Sequence, residues 1–132
     1  MKVKIEHEIT ETTIADLMTA AIEGGSSYWC DQIEQMSGHH TEEEVWYADP
    51  EIYKQEEGKF LTIRVVESEP SSENSDGRHI INLEKMQKAF ELMSEFGTPK
   101  GFHLRNLLEE NWDAETADVF LQLAVFGEVV YG

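Results

Sequence analysis

Asp113-Ala-Glu-Thr-Ala-Asp-Val-Phe-Leu-Gln-Leu-Ala-Val-Phe-Gly-Glu-Val-Val-Tyr-Gly132 is the densest apolar run in an otherwise acidic chain. Asp113 suits an N-cap, and Glu115 falls in the first turn, where the helix dipole favours negative charge. Ala117, Phe120, Leu121 and Ala124 form one face, while Val119, Leu123 and Phe126 cover much of the remainder. A helix that is apolar nearly all round is a buried one. Gly127 can end it in the left-handed conformation, leaving Glu128–Tyr131 as a short terminal segment. Val129, Val130 and Tyr131 then either close the core or cover a partner subunit in a homo-oligomer. If this helix is the centre of the fold, the rest of the chain must supply the layers that enclose it.

Working outward, Asn82 caps a second amphipathic helix with Leu83, Met86, Ala89, Phe90, Met93 and Phe96 inward, stopped by Gly97 and Pro99. Lys59–Glu67 alternates, with Leu61, Ile63 and Val65 on one face and Phe60, Thr62, Arg64 and Val66 on the other, which is a strand pattern. Ser68–Gly77 is a polar hairpin loop, and His79–Ile81 returns as the paired strand. Nearer the start, Ile14, Leu17, Met18, Ala21 and Ile22 mark a helix capped at Thr12 or Thr13, with Asp16 as capping-box partner and Gly24-Gly25 as its stop. Lys2–Ile9 alternates as a first strand. Ser26 or Ser27 can cap a helix carrying Tyr28, Trp29, Ile33 and Met36 up to Gly38; a short strand through Tyr28–Cys30 competes. Glu44–Ala48 resembles a short strand broken by Asp49-Pro50. Phe102, Leu104, Leu107 and Leu108 mark one more short helix before Trp112.

The sum is an α+β chain: a small antiparallel sheet of three to four strands packed against four or five helices, in a single domain over residues 1–132. Mobile loops are expected at 37–44 and 68–78. The length suits one core.

The formal charge of −17 arises from 27 acids against 10 Lys and Arg, with 14 acids in residues 1–66 and 13 in residues 67–132. There is thus no detachable acidic tail. Such a surface repels nucleic-acid phosphates and anionic membranes and favours basic partners. The clusters Glu42-Glu43-Glu44, Glu56-Glu57, Glu67 with Glu69, and Glu109-Glu110 together resemble a phosphate track, against the plainer reading of independent solvated faces. Cys30 is the only cysteine, so no intramolecular disulfide forms and a reducing, cytoplasmic setting is expected. No apolar run reaches 18 residues, and no basic-then-apolar leader is present, so neither a membrane span nor a signal peptide is expected.

Glu23-Gly-Gly-Ser-Ser-Tyr-Trp-Cys30 is the most suggestive local stretch. Gly24 and Gly25 let backbone approach a ligand, Ser26 and Ser27 offer donors for an anion, and Tyr28 and Trp29 can stack on a ring. Arg64, Arg78 and Arg105 are the bases to look for near such a pocket, with a small nucleotide as ligand. The plainer reading is a tight corner with two core aromatics. The stretch matches neither a Walker loop nor a dinucleotide fingerprint. His39-His40 beside Glu42–Glu44 lacks the spacing of a zinc pair. His79 and His103 are far apart in sequence, Cys30 sits in no protease pattern, and no general acid/base pair stands out. No metal, cofactor or catalytic residue is implied.

Ala21–Cys30, the Tyr47-Ala-Asp segment before Gly58, and Asp113–Gly132 together resemble a family of small bacteriophage and prophage proteins. The resemblance spans nearly the whole chain and brings no catalytic residues with it. It implies a phage-encoded accessory protein in the cytosol of an infected bacterium. Two functional expectations follow: a non-enzymatic protein that binds a basic host factor stoichiometrically, as a counter-defence inhibitor or nucleic-acid mimic, or a protein that sequesters a nucleotide signal near Gly24–Trp29. A small hydrolase is a distant third.

Overall fold

The computed structural model describes residues 9–39, 44–69, 76–95 and 113–132. Helix α1 spans Glu11–Ala20, strand β1 Cys30–Ser37, β2 Thr62–Glu67, β3 Arg78–Asn82, helix α2 Leu83–Glu95 and helix α3 Ala114–Phe126. The strands form one antiparallel sheet in the order β1-β2-β3. This is an α+β fold, with three α-helices among the described residues where four or five were expected. The expected strand Lys2–Ile9 and the helix around Phe102–Leu108 lie outside the described residues, as do residues 40–43 and 70–75 of the two expected loops and the stop signals Gly97 and Pro99.

Helix α3 is buried on every side from Thr116 to Val125. Asp113 Oδ1 accepts the Glu115 and Thr116 amides at 3.1 and 3.2 Å. Gly127 closes the far end at φ 75°, its amide bonding Leu123 O at 3.0 Å. Both end signals are therefore read correctly from sequence. The second expected cap also holds: Asn82 Oδ1 accepts the Lys85 amide at 2.9 Å at the start of α2. Met86, Ala89 and Met93 face inward, and the Phe90 ring stacks on Phe120 of α3 at 4.8 Å.

Helix α1 begins earlier than expected. Thr10, in extended conformation, accepts the Thr13 amide at 3.2 Å, so the cap lies two or three residues ahead of Thr12 and Thr13. The helical run ends at Gly25 as expected, but not through a left-handed glycine. The chain widens into a π-helical turn over Ala21–Gly25, closed by the Ser26 amide on Ala21 O at 2.7 Å. A Cβ added at Gly25 would lie 2.3 Å from Ala114 O, so this glycine is what lets the turn touch the first residue of α3.

The expected helix over Tyr28–Met36 is instead a turn through Tyr28 and Trp29 that leads into strand β1. Its register against β2 slips between Cys30 and Gln32 and again between Gln35 and Ser37. Each slip inserts one extra residue, Asp31 and then Met36, and shifts the phase of the alternation. Ile33 and Met36, following Trp29 in the turn before the strand, therefore recur at a helix-like spacing in what is extended chain. The expected strand Glu44–Ala48 is also corrected: Trp46–Ala48 and Pro50–Tyr53 are two short 3-10 turns. Asp49 caps the second by accepting the Glu51 amide at 3.0 Å, and Pro50 supplies the fixed φ of a first helical position. Ile52 and Tyr53 are buried against α1, with Tyr53 OH donating to Tyr47 O at 2.7 Å.

Leu61, just before β2, and Ile63 and Val65 within it face the core as expected. Phe60 is 71% exposed. The β2–β3 hairpin is closed by the Glu67 amide on Gly77 O at 2.7 Å. Among the described residues, no helix is long and apolar enough to cross a membrane.

Candidate functional site

Two polar side chains, Asp118 and Gln122, stand one turn apart inside the buried span of α3. Their surroundings explain why they are tolerated there. Asp118 Oδ1 accepts the Ser26 hydroxyl at 2.8 Å and the Trp29 indole N–H at 2.7 Å. Its Oδ2 accepts the Tyr28 hydroxyl at 2.6 Å and the Gln122 amide at 3.1 Å. A carboxylate has about four acceptor positions, and here all are taken by neutral donors. Gln122 Oε1 accepts the Val130 and Tyr131 amides, both at 2.8 Å, while its Nε2 also reaches Tyr131 O at 3.2 Å. The terminal segment after Gly127 is thereby tied back onto α3.

A second buried carboxylate lies at the end of β2. Glu67 is 6% exposed, its Oε2 lies 2.7 Å from His79 Nε2, and its Oε1 accepts the Tyr131 hydroxyl. The Tyr131 ring stacks on Trp29 at 5.5 Å with an interplanar angle of 6°. Phe126 fills the space between, 5.4 Å from Trp29 and 5.0 Å edge-on to His79. Tyr131 thus joins the two carboxylates through one aromatic cluster.

The glycine-serine stretch contributes to this network rather than to an open anion cradle. The Ser26 amide is used in the π-helical turn and its hydroxyl on Asp118. Ser27 donates to Gly24 O at 2.9 Å. Trp29 is buried, Gly24 is exposed, and the Tyr28 ring is half open to solvent. Burial, reinforced by the hydrogen bond to Asp118, pushes the Tyr28 phenol up to about 12. Burial and the neighbouring Asp31 push the Cys30 thiol up to about 11, so at neutral pH it is a protonated thiol and a poor nucleophile.

Beside the network lies an open depression of about 530 Å³ with Gly25, Tyr28, Glu115, Asp118, Gln122 and Tyr131 among its walls. It includes two members of the expected ligand stretch. Its charged wall residues are both acids, however, which suits a cationic or neutral group better than a phosphate. The bases expected near it sit elsewhere: Arg64 pairs with Glu34 on the sheet, and Arg78 is 3.8 Å from Asp76. Arg105 is outside the described residues.

Of the expected acidic surface, Glu44, Glu56, Glu57 and Glu69 are exposed. Glu56 lies 3.6 Å from His39. Glu67 is corrected: pairing with His79 and Tyr131 takes it into the core, so it cannot belong to an accessible track. Glu42, Glu43, Glu109, Glu110, His40 and His103 lie outside the described residues. Among the described residues, no group of three or more His, Cys, Asp or Glu side chains is arranged to hold a metal ion.

Sequence reasoning missed Asp118, Gln122 and the Glu67–His79 pair. The legible signal was Asp118 and Gln122 at i, i+4 inside an apolar run, where two polar residues on one helix face must share partners. Comparison of the chain with protein-family models, with curated proteins and with solved structures gives no match in any of the three.

Proposed function

We propose that the chain is an acidic, non-enzymatic accessory protein that binds a basic protein partner stoichiometrically, in the cytosol of a phage-infected bacterium. The observation that carries the reading is a net charge of −17 with Glu44, Glu56, Glu57 and Glu69 all exposed. A field of that sign steers basic partners inward and raises their association rate. The phage setting rests on the resemblance of Ala21–Cys30 and Asp113–Gly132.

The test pairs capture from infected cells with binding of the purified partner. A saturable 1:1 complex is expected by calorimetry, weakening as salt rises, because exposed charges are screened beyond about 8 Å at physiological ionic strength. The triple reversal Glu44→Lys, Glu56→Lys, Glu57→Lys should weaken it further. No saturable complex at low salt, or one indifferent to both salt and charge reversal, overturns the reading.

One observation favours a second reading, a small-ligand binder: the depression beside Gly25 and Tyr28. Its two carboxylates favour an amine or a neutral ligand over the nucleotide expected from sequence. A ligand at roughly 100 times its dissociation constant adds about 2.7 kcal/mol of stability. A thermal shift with nucleotides and none with amines would reverse that preference.

A further inference from the structure

Helices α2 and α3 contact the sheet at β3, and Ile63, Val65 and Ile81 point to the core, whereas Gln32, Glu34 and Ile80 on the opposite face are exposed and Thr62, Arg64 and Val66 are half-buried. That opposite face is unlike the rest of this acidic surface. Among the described residues, three of the seven exposed large apolar side chains lie on or beside it: Met36, Phe60 and Ile80. Met36 is the extra residue of the second bulge, beside the Ser37–Thr62 pair. Phe60 lies two residues before Thr62 in the same alternation, and its carbonyl accepts the Ser37 hydroxyl at 2.6 Å. Ile80 is the cross-strand partner of Arg64. Arg64 in turn bonds Glu34, its partner on β1, and Arg78 stands at the sheet end opposite Val66. Acid and base nearly balance here, whereas the whole chain carries 27 acids against 10 bases.

We infer that this face is the contact between two copies of the chain, related by a two-fold axis running parallel to the strands between β1 and β2. Such an axis lays β1 of one copy over β2 of the other. The cross-strand neighbours within the sheet are then repeated between the copies: Met36 meets the Phe60–Thr62 end of β2, Glu34 meets Arg64, and Gln32 meets Val66. An isologous contact requires this self-complementarity, apolar on apolar and acid on base. A face carrying acids alone would repel its own copy. For a chain of this net charge, the near-neutral sheet face is the one on which self-association meets least repulsion.

The scale sets the expected strength. Strands about 20 Å long and 4.8 Å apart bury on the order of 800–1,000 Å² in total between two such faces, the low end for specific contacts. A reversible dimer in the micromolar range follows, separate from the binding of a basic partner by the acidic surface.

Charge exchange tests the contact face, read by sedimentation equilibrium across roughly 1 to 500 μM. The parent protein should pass from monomer to dimer over that range. Arg64→Glu sets acid against acid across the contact, and Glu34→Arg sets base against base. Each alone should raise the dissociation constant at least tenfold. An equimolar mixture of the two variants should form heterodimer, because every acid at these positions on one variant then meets a base on the other. Under the proposed axis, the acid-bearing face of one variant meets the base-bearing face of the other, and near-parent affinity returns. Phe60→Ser, at an exposed position, should weaken the dimer while near-UV circular dichroism stays unchanged. A parent that remains monomeric throughout overturns the inference. So does a dimer that ignores Phe60→Ser, or two charge variants that fail to recover when mixed although both are folded.

Discussion

Replacing Asp118 with Ala tests the polar network most directly. The side chain accepts from Ser26, Tyr28, Trp29 and Gln122. Three of those donors belong to residues with almost no solvent contact: Ser26 is 0% exposed, Trp29 2% and Gln122 0%. Water can reach the Tyr28 hydroxyl from the open side of its ring, so its loss counts for little. The Gln122 amide keeps Tyr131 O at 3.2 Å, so Ser26 and Trp29 are the buried donors left without an acceptor; at about 1–3 kcal/mol each, with neighbouring losses overlapping, the sum expected is about 2–5 kcal/mol. Against total stabilities of about 5–15 kcal/mol, that leaves the variant near its unfolding threshold at room temperature. Asp118→Asn is the informative control. Its oxygen still serves Ser26 and Trp29, but its amide now faces the Gln122 amide, donor against donor. A smaller loss of about 1–3 kcal/mol is expected, the cost of one unsatisfied buried group. Urea denaturation followed by Trp fluorescence and by far-UV circular dichroism measures both. If Asp118→Ala loses less than about 1 kcal/mol with coincident transitions, the network is incidental and the reasoning fails.

Three further outcomes are expected. Gly25→Ala drives a methyl to 2.3 Å from Ala114 O, against backbone that cannot rotate away, so the turn and α3 must separate; overpacking of this kind costs about 1–3 kcal/mol, read as a lower urea midpoint at unchanged slope. Phe120→Ala removes a ring that is 0% exposed and stacked on Phe90, and should cost about 3–5 kcal/mol, whereas a loss below about 1 kcal/mol would mean α3 is not the core. At high pH, Tyr28 and Cys30 ionise later in the fold than in the unfolded chain, at about 12 and about 11 against 10.0 and 9.0. Their neutral forms are the ones the fold favours, so their stabilising share is intact below about pH 9 and is lost as pH rises through about 9 to 12. Absorbance at the phenolate band and thiol alkylation rates check the order, and Tyr28→Phe should remove the Tyr28 part of the slope.

The elements that were legible in the sequence are those whose signals are local. Asp113 and Gly127 act within one turn of the helix they bound, and Leu61, Ile63 and Val65 alternate without interruption. Strand β1 was illegible because two bulges insert Asp31 and Met36, and a strand with shifted phase, entered from a turn at Trp29, imitates a helix up to Met36. Gly24-Gly25 looked like a stop because glycine usually ends a helix. At Gly25 the need is steric and comes from Ala114, some ninety positions away, which no local pattern can announce. The candidate site shows the same divide. Ser26, Tyr28 and Trp29 were singled out for their donors and rings, and those groups do matter. Their acceptor is a carboxylate in the stretch that had been read as packing alone.

That pairing changes the meaning of the acids themselves. In a chain with 27 acidic residues, two described carboxylates are buried, Glu67 and Asp118, and each is held by hydrogen bonds from side chains distant in sequence. Burying a charge is costly unless its oxygens are satisfied, so every mispaired arrangement of these strands and helices would leave an acid stranded in the interior. Tyr131 sharpens the requirement, since its hydroxyl serves Glu67 while its amide serves Gln122, and its ring covers Trp29. The end of β2, the glycine turn and the segment after Gly127 can therefore all be satisfied in only one mutual placement. Surface acids contribute nothing of this kind, because water solvates them equally well in any arrangement. The same residue type thus divides by burial: the two interior carboxylates specify how the layers close, and the exposed ones leave the packing indifferent to their placement.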